Sequence, residues 1–243
     1  SHYRRPANFS RSDYSESYEK AVNTALFGEA TYEFLPSWKV VGGGRVDHTD
    51  QNNQNYFTRN GAVRTNNRTS FDELVFLPKF GLIKELAPNQ SVAFTAQKGF
   101  RSGGAGVQSS TGKTFSYDAE FAWNYELSYK GSFLNDRLQL TANAFYMKWK
   151  DQQVEIQEDP NDGNSDYTTN AANSSVMGFE VESQYDVTKE ISAFASIGYS
   201  ATEFEEFNDK TYGDLSGLPF PQAPRWNLAF GTRYEHPTGF YIG

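Results

Sequence analysis

Chemistry in this chain would have to come from a small set of residues. Arg101-Ser102-Gly103-Gly104 sets a cation beside a glycine-rich segment whose backbone amides could cradle an anion. It lacks the spacing of a phosphate-binding loop and opens no helix, so a strand-to-loop exit is the plainer reading. The stretch Glu155-Ile156-Gln157-Glu158-Asp159-Pro160-Asn161-Asp162-Gly163-Asn164-Ser165-Asp166 is dense in the oxygen ligands that hard cations such as Ca²⁺ require. Its glycine does not sit behind acids at the positions an EF-hand needs, and it reads as a solvated loop tip. Glu203, Glu205, Glu206 and Asp209 form a second acidic cluster that reads the same way. The three histidines, His2, His48 and His236, are scattered and suggest no paired-histidine metal site. No serine is tied to a histidine by a recognisable motif, and cysteine is absent. These residues define no catalytic site, no metal site and no cofactor.

Composition narrows the classes further. The 243 residues carry 30 acidic against 22 basic side chains, a formal charge of −8, which disfavours a nucleic-acid partner. No stretch approaches the roughly 18 to 20 apolar residues of a membrane-spanning helix. Yet aromatic residues make up 16% of a chain whose mean hydropathy is −0.68. That pairing fits strands apolar on one face only.

Period two runs along the chain. Val22, Thr24, Leu26, Gly28, Ala30, Tyr32 and Phe34 alternate with residues that include Asn23, Glu29, Thr31 and Glu33. After Leu35-Pro36-Ser37 the parity resumes with Trp38, Val40, Gly42, Gly44 and Val46. Leu74 to Leu82 leads through the turn at Pro88 to Val92, Phe94 and Ala96. Trp123, Tyr125, Leu127 and Tyr129 alternate with Asn124, Glu126, Ser128 and Lys130, and the turn Leu134-Asn135-Asp136 leads to Leu138, Leu140, Ala142, Ala144 and Tyr146. Phe179, Val181, Tyr185 and Val187, then Ile191 to Tyr199, then Trp226, Leu228, Phe230 and Tyr234 continue the pattern. The expectation is roughly ten strands, longer than the five or six residues usual in globular sheets.

Short turns near Pro36, Pro88, Asn135, Thr188 and Pro237 take turns with long polar segments, His48–Ser70, Arg101–Glu120, Asp151–Asn173 and Glu205–Gln222, which read as loops. Several structureless loops of that length are rare in a compact soluble domain. They are built into outer-membrane barrels, which carry short turns on one rim and long loops on the other. Aromatics gather near both strand ends, with Phe34, Trp38, Phe133, Tyr185 and Tyr234 by the short turns and Phe100, Trp123, Tyr146, Tyr199 and Trp226 towards the long ones. The reading is all-β, an antiparallel transmembrane β-barrel in the bacterial outer membrane and in contact with its lipid. Two alternatives stay open: a secreted β-sandwich adhesion domain, and a passive porin or small barrel closed by itself.

Several segments in order resemble the barrel of TonB-dependent outer-membrane receptors. They are Pro78 to Leu82, Gln97 to Gly104, Glu120 to Gly131, Arg137 to Asp151, Gly178 to Glu182 and Pro221 to Trp226. The resemblance covers the last two thirds of the chain well and the first third by strand pattern; Ala119 stands where the family often has proline. It implies that residues 1–243 are part of a barrel of roughly 22 strands. A plug, a TonB box and a terminal strand ending in an aromatic residue would then lie outside the segment. It also implies uptake of a scarce nutrient, most often a ferric siderophore, with energy relayed by the TonB complex through the plug. Arg101, Tyr117 and Trp149 are the candidate ligand-binding residues, because a cation or a flat ring near the extracellular rim suits an anionic or aromatic chelate.

Overall fold

The computed structural model describes residues 13–108, 110–159, 161–162, 165–209 and 212–243; His2 and, in the acidic stretch, Pro160, Gly163 and Asn164 lie outside them. The strands are β1 (Asp13–Leu35), β2 (Trp38–Arg59), β3 (Ala62–Ala87), β4 (Gln90–Arg101), β5 (Gly104–Val107), β6 (Thr114–Tyr117) and β7 (Glu120–Phe133). They continue with β8 (Leu138–Gln157), β9 (Asp166–Asp186), β10 (Ile191–Asp209), β11 (Gly213–Asp214), β12 (Trp226–Glu235) and β13 (Tyr241–Ile242). Eleven of them form one sheet in the order β1-β2-β3-β4-β7-β8-β9-β10-β12-β13, with β11 paired to β10. Every pairing is antiparallel, and β5 and β6 form a separate two-stranded hairpin.

The register turns the sequence alternation into two chemically distinct faces. One row runs across the sheet through Tyr32, Val40, Leu82, Phe94, Leu127, Ala144, Phe179, Tyr199 and Trp226. The adjacent row, on the opposite face, runs through Glu33, Lys39, Ile83, Ala93, Ser128, Asn143, Glu180, Gly198 and Asn227. A one-residue slip would exchange these faces, so the apolar row fixes the register.

Among the described residues no second layer covers the apolar face. Leu26 is 79% exposed and Phe230 87%. In water this face would cost about 25 cal/mol for each Å² left uncovered, whereas hydrocarbon removes that cost. A β-sandwich would bury the same side chains against a facing sheet. The buried apolar residues among those described, such as Val41, Phe57, Val75 and Phe204, are too few and too dispersed to form such a core. The lipid-facing reading therefore displaces the sandwich alternative.

Two of the long polar segments, His48–Ser70 and Asp151–Asn173, are strand for most of their length. Between His48 and Ser70 the chain stays in strand except for a tight turn at Asn60-Gly61. Those two residues have φ of 51° and 76°, the left-handed pair that a two-residue hairpin turn demands. Asp151–Gln157 and Asp166–Asn173 likewise extend β8 and β9, and β10 continues to Asp209. Polar side chains suit both faces there because the strands have left the hydrocarbon for water. A small apolar core braces the projection, with Ala172, Phe204 and Phe207 packed against Val154, Ile156, Leu215 and Phe220.

Arg101–Glu120 contains the β5–β6 hairpin, which folds over the polar face of the sheet. Arg59 donates to the Ser110 carbonyl and Thr65 to that of Gly112, while Gln108 Nε2 donates to the Ser165 carbonyl at 2.6 Å. Phe57, 1% exposed, lies against Gly112. The hairpin thus ties the β2–β3 extension to the β8–β9 extension. Asp47, Thr49, Gln51, Asn53 and Asn55, successive polar-face residues of β2, are buried, Thr49 and Gln51 beside Ser102, Gly103 and Tyr117.

Candidate functional site

The site lies at the top of the polar face, where β4 and β7 end and the hairpin begins. Arg101 and Glu120 are paired across these strands, with the guanidinium 3.9 Å from Glu120 Oε1. Glu120 is buried, and its Oε2 accepts the Gln153 amide at 2.6 Å. Gln153, also buried, donates through Nε2 to the carbonyls of Ser102 at 2.9 Å and Asp118 at 3.0 Å. One glutamine thus clamps both feet of the hairpin to β8. The β8–β9 ladder slips between Trp149 and Gln153, with Asp151 at a φ of 55°, and beyond this break β8 meets the hairpin feet.

Arg101 and Trp149 share the polar face and line one recess of about 270 Å³, together with Gln97, Glu120, Asn124 and Met147. Arg101 is 66% exposed, so its guanidinium can meet a solute while staying beside Glu120. Trp149 has polar-face parity and is not part of the outward aromatic girdle, where Trp123, Tyr125 and Tyr146 stack at 6.1 and 6.4 Å. Tyr117 stands apart from these two. It lines a neighbouring recess of about 400 Å³ with Thr49, Gln51, Glu73, Ser102 and Asp118, and it stacks on Phe115 at 6.4 Å. Glu73 lies about 35 Å above the short turn at Ala87, clear of the hydrocarbon band. Burial pushes its carboxyl above the ordinary range and Asp118 adds to the rise, against a Gly103 amide that lowers it. This second recess is acidic, and a cation or a neutral group suits it better than an anion.

The glycines after Arg101 serve packing. A Cβ on Gly103 would come within 2.5 Å of the Tyr117 carbonyl oxygen, and one on Gly104 would strike the Tyr117 ring. That is close approach across a hairpin and not an open anion cradle. The acidic clusters are also engaged. Asp159 Oδ1 accepts the Asn161 amide at 2.9 Å, Glu206 accepts from Asn173 at 2.9 Å, and Asp209 accepts the Tyr212 amide at 2.8 Å. His48 lies beside Asp72 at 3.2 Å, and His236 beside Thr238 at 2.8 Å. Among the described residues no group of three or more Asp, Glu or His is placed to hold a metal ion.

A one-face-apolar sheet of long antiparallel strands, with a polar wall and braced extracellular extensions, defines an outer-membrane barrel segment. Residues 1–242 match the family described as "TonB dependent receptor-like, beta-barrel", and the chain belongs to that family of outer-membrane receptors and transporters. The metal-pseudopaline receptor CntO of Pseudomonas aeruginosa is 25% identical over 195 residues, 80% of this chain and 26% of that protein. Among solved structures, the ferric yersiniabactin uptake receptor FyuA from Yersinia pestis superposes with a TM-score of 0.75 at 19% identity, covering 92% of this chain and 33% of that one. The siderophore receptor PiuA from Acinetobacter baumannii does so at 0.68 and 20% identity, covering 89% and 31%. The chain spans about a quarter of the length of the curated relative and about a third of these structures.

Proposed function

We propose that residues 1–243 form part of the barrel wall of a receptor that takes up a metal chelate, a ferric siderophore before other nutrients, by TonB-dependent transport. In this reading a plug elsewhere in the parent protein contacts TonB, and the barrel wall is a passive scaffold that captures and orients ligand. The observation that carries it is the Arg101–Trp149 recess at the top of the polar wall. A guanidinium offers a fork of donors to carboxylate, phenolate or hydroxamate oxygens, and an indole offers a flat face to an aromatic chelate. Tyr117 supplies a second ring in the adjoining recess. The names of the relatives, receptors for metal-pseudopaline, ferric yersiniabactin and siderophores, agree with a chelate as cargo.

The test is a binding and uptake screen on the full-length receptor in outer-membrane vesicles and cells, comparing ferric siderophores, haem, cobalamin and oligosaccharides. The expected result is saturable binding of a ferric chelate, with uptake that stops when the proton-motive force is collapsed. Non-saturable, energy-independent flux would refute this reading and favour a passive pore.

A further inference from the structure

The lipid face carries a feature that uptake does not use. Lys98, Lys148 and Lys150 share the parity of the apolar face. Lys98 and Lys148 flank Trp123 in a single row, Lys98 paired to Trp123 and Trp123 to Lys148, while Lys150 pairs with Phe121 one step higher. The Lys98 ammonium lies 4.1 Å over the Phe121 ring. These lysines therefore lie on β4 and β8, on either side of β7, about 10 Å apart across the sheet.

Their height is the informative part. Lys148 is ten residues above Leu138 on β8, which for a strand tilted by about 40° places it about 25 Å above the short-turn rim. That matches the height of the apolar band of an outer-membrane barrel. Directly below are the stacked rings of Tyr125 and Tyr146. Ala142 and Ala144, two small side chains of the lipid face, lie between Tyr129 and Leu127 on one side and Val181 and Phe179 on the other. Cations at the hydrocarbon boundary, above girdle aromatics, match a lipid whose head is anionic and whose tails point to the midplane.

The surrounding acids do not cancel the patch. Glu205 pairs with Lys148 at 3.1 Å and accepts from the Tyr146 hydroxyl at 3.4 Å. Glu203 is in the Lys148 row but two strands away, beyond Ser175. Lys150 is exposed and has no ion pair among the described residues, and Lys98 has only its ring contact.

We propose that Lys98, Lys148 and Lys150 form a binding site for the phosphorylated head of an outer-leaflet lipid. The site stands on the barrel's lipid face and does not depend on which chelate is carried.

The experiment uses the full-length receptor in an uncharged detergent. Native mass spectrometry reads retention of two probes, lipid A and the same lipid after phosphate removal. The expected result is preferential retention of the phosphorylated form, reduced about tenfold in the Lys98→Gln, Lys148→Gln, Lys150→Gln variant. Lys130→Gln, which removes one positive charge from the polar face, should retain the lipid fully. Equal retention by the triple variant, or equal loss in Lys130→Gln, would overturn the proposal. So would displacement of lipid A by millimolar inorganic phosphate, which would make the occupant a free anion. The unmodified receptor gives a test that no folding defect can confuse: raising salt from 50 to 500 mM should weaken retention of the phosphorylated lipid alone, and salt-independent retention would contradict a charge-held head.

Discussion

Leu127→Arg is expected to destabilise the folded receptor in bilayers by about 2–4 kcal/mol, the cost of a guanidinium on the lipid face near the membrane midplane. Leu127 is half-exposed and sits midway along β7, in the apolar row between Phe94 and Ala144. Asn143→Arg, on the neighbouring strand but the other face, should cost less than about 1 kcal/mol. Asn143 pairs with Ser128 and Glu180 on the polar wall, where a cation finds water and carboxylates. Urea titration of the full-length receptor folded into phosphatidylcholine vesicles measures both. Equal penalties would mean that the face assigned to lipid is not in lipid.

The second large effect belongs to the rim. Removing both the Arg101 fork and the Trp149 ring, as Arg101→Ala with Trp149→Ala, should weaken chelate binding by about 10- to 100-fold, the range expected when an arginine and an aromatic anchor are lost together. Arg101→Lys alone should fall in between, because an ammonium keeps the charge but loses the planar fork. The rim itself should persist in these variants. The Arg101–Glu120 contact is long at 3.9 Å, and Glu120 keeps its shorter bond from the Gln153 amide. Equilibrium binding to receptor in vesicles checks this, and affinity unchanged in the double variant would remove Arg101 and Trp149 from the ligand site.

Strand order and facing were legible in the sequence because lipid imposes a strict period of two. Trp123, Tyr125 and Leu127 had to share a side, and Asn124, Glu126 and Ser128 the other. Above the membrane that constraint disappears. Both faces of β2 beyond His48 are polar, so composition alone read the strand as a loop. The signals present were the alternation of Asp47, Thr49, Gln51, Asn53 and Asn55, ending at Phe57, and the Asn60-Gly61 pair that closes a two-residue turn. Arg101 and Trp149 were legible as residue types near a rim, but their convergence was not. Nor was the role of Gln153, whose partners Ser102, Asp118 and Glu120 lie 33 to 51 residues away in sequence.

Because residues 1–243 contain no cysteine, nitroxide labels can be introduced into this segment one position at a time. Labels at 139 to 144 along β8 in the full-length receptor, reconstituted in lipid, report on both faces through collision with oxygen, which concentrates in hydrocarbon, and with a water-soluble nickel chelate. Two signals out of phase are expected. Leu140, Ala142 and Ala144 should respond to oxygen and not to nickel, and Gln139, Thr141 and Asn143 should show the reverse bias. Loss of the alternation, or even-numbered positions sheltered from both reagents as in the core of a soluble sandwich, would contradict it.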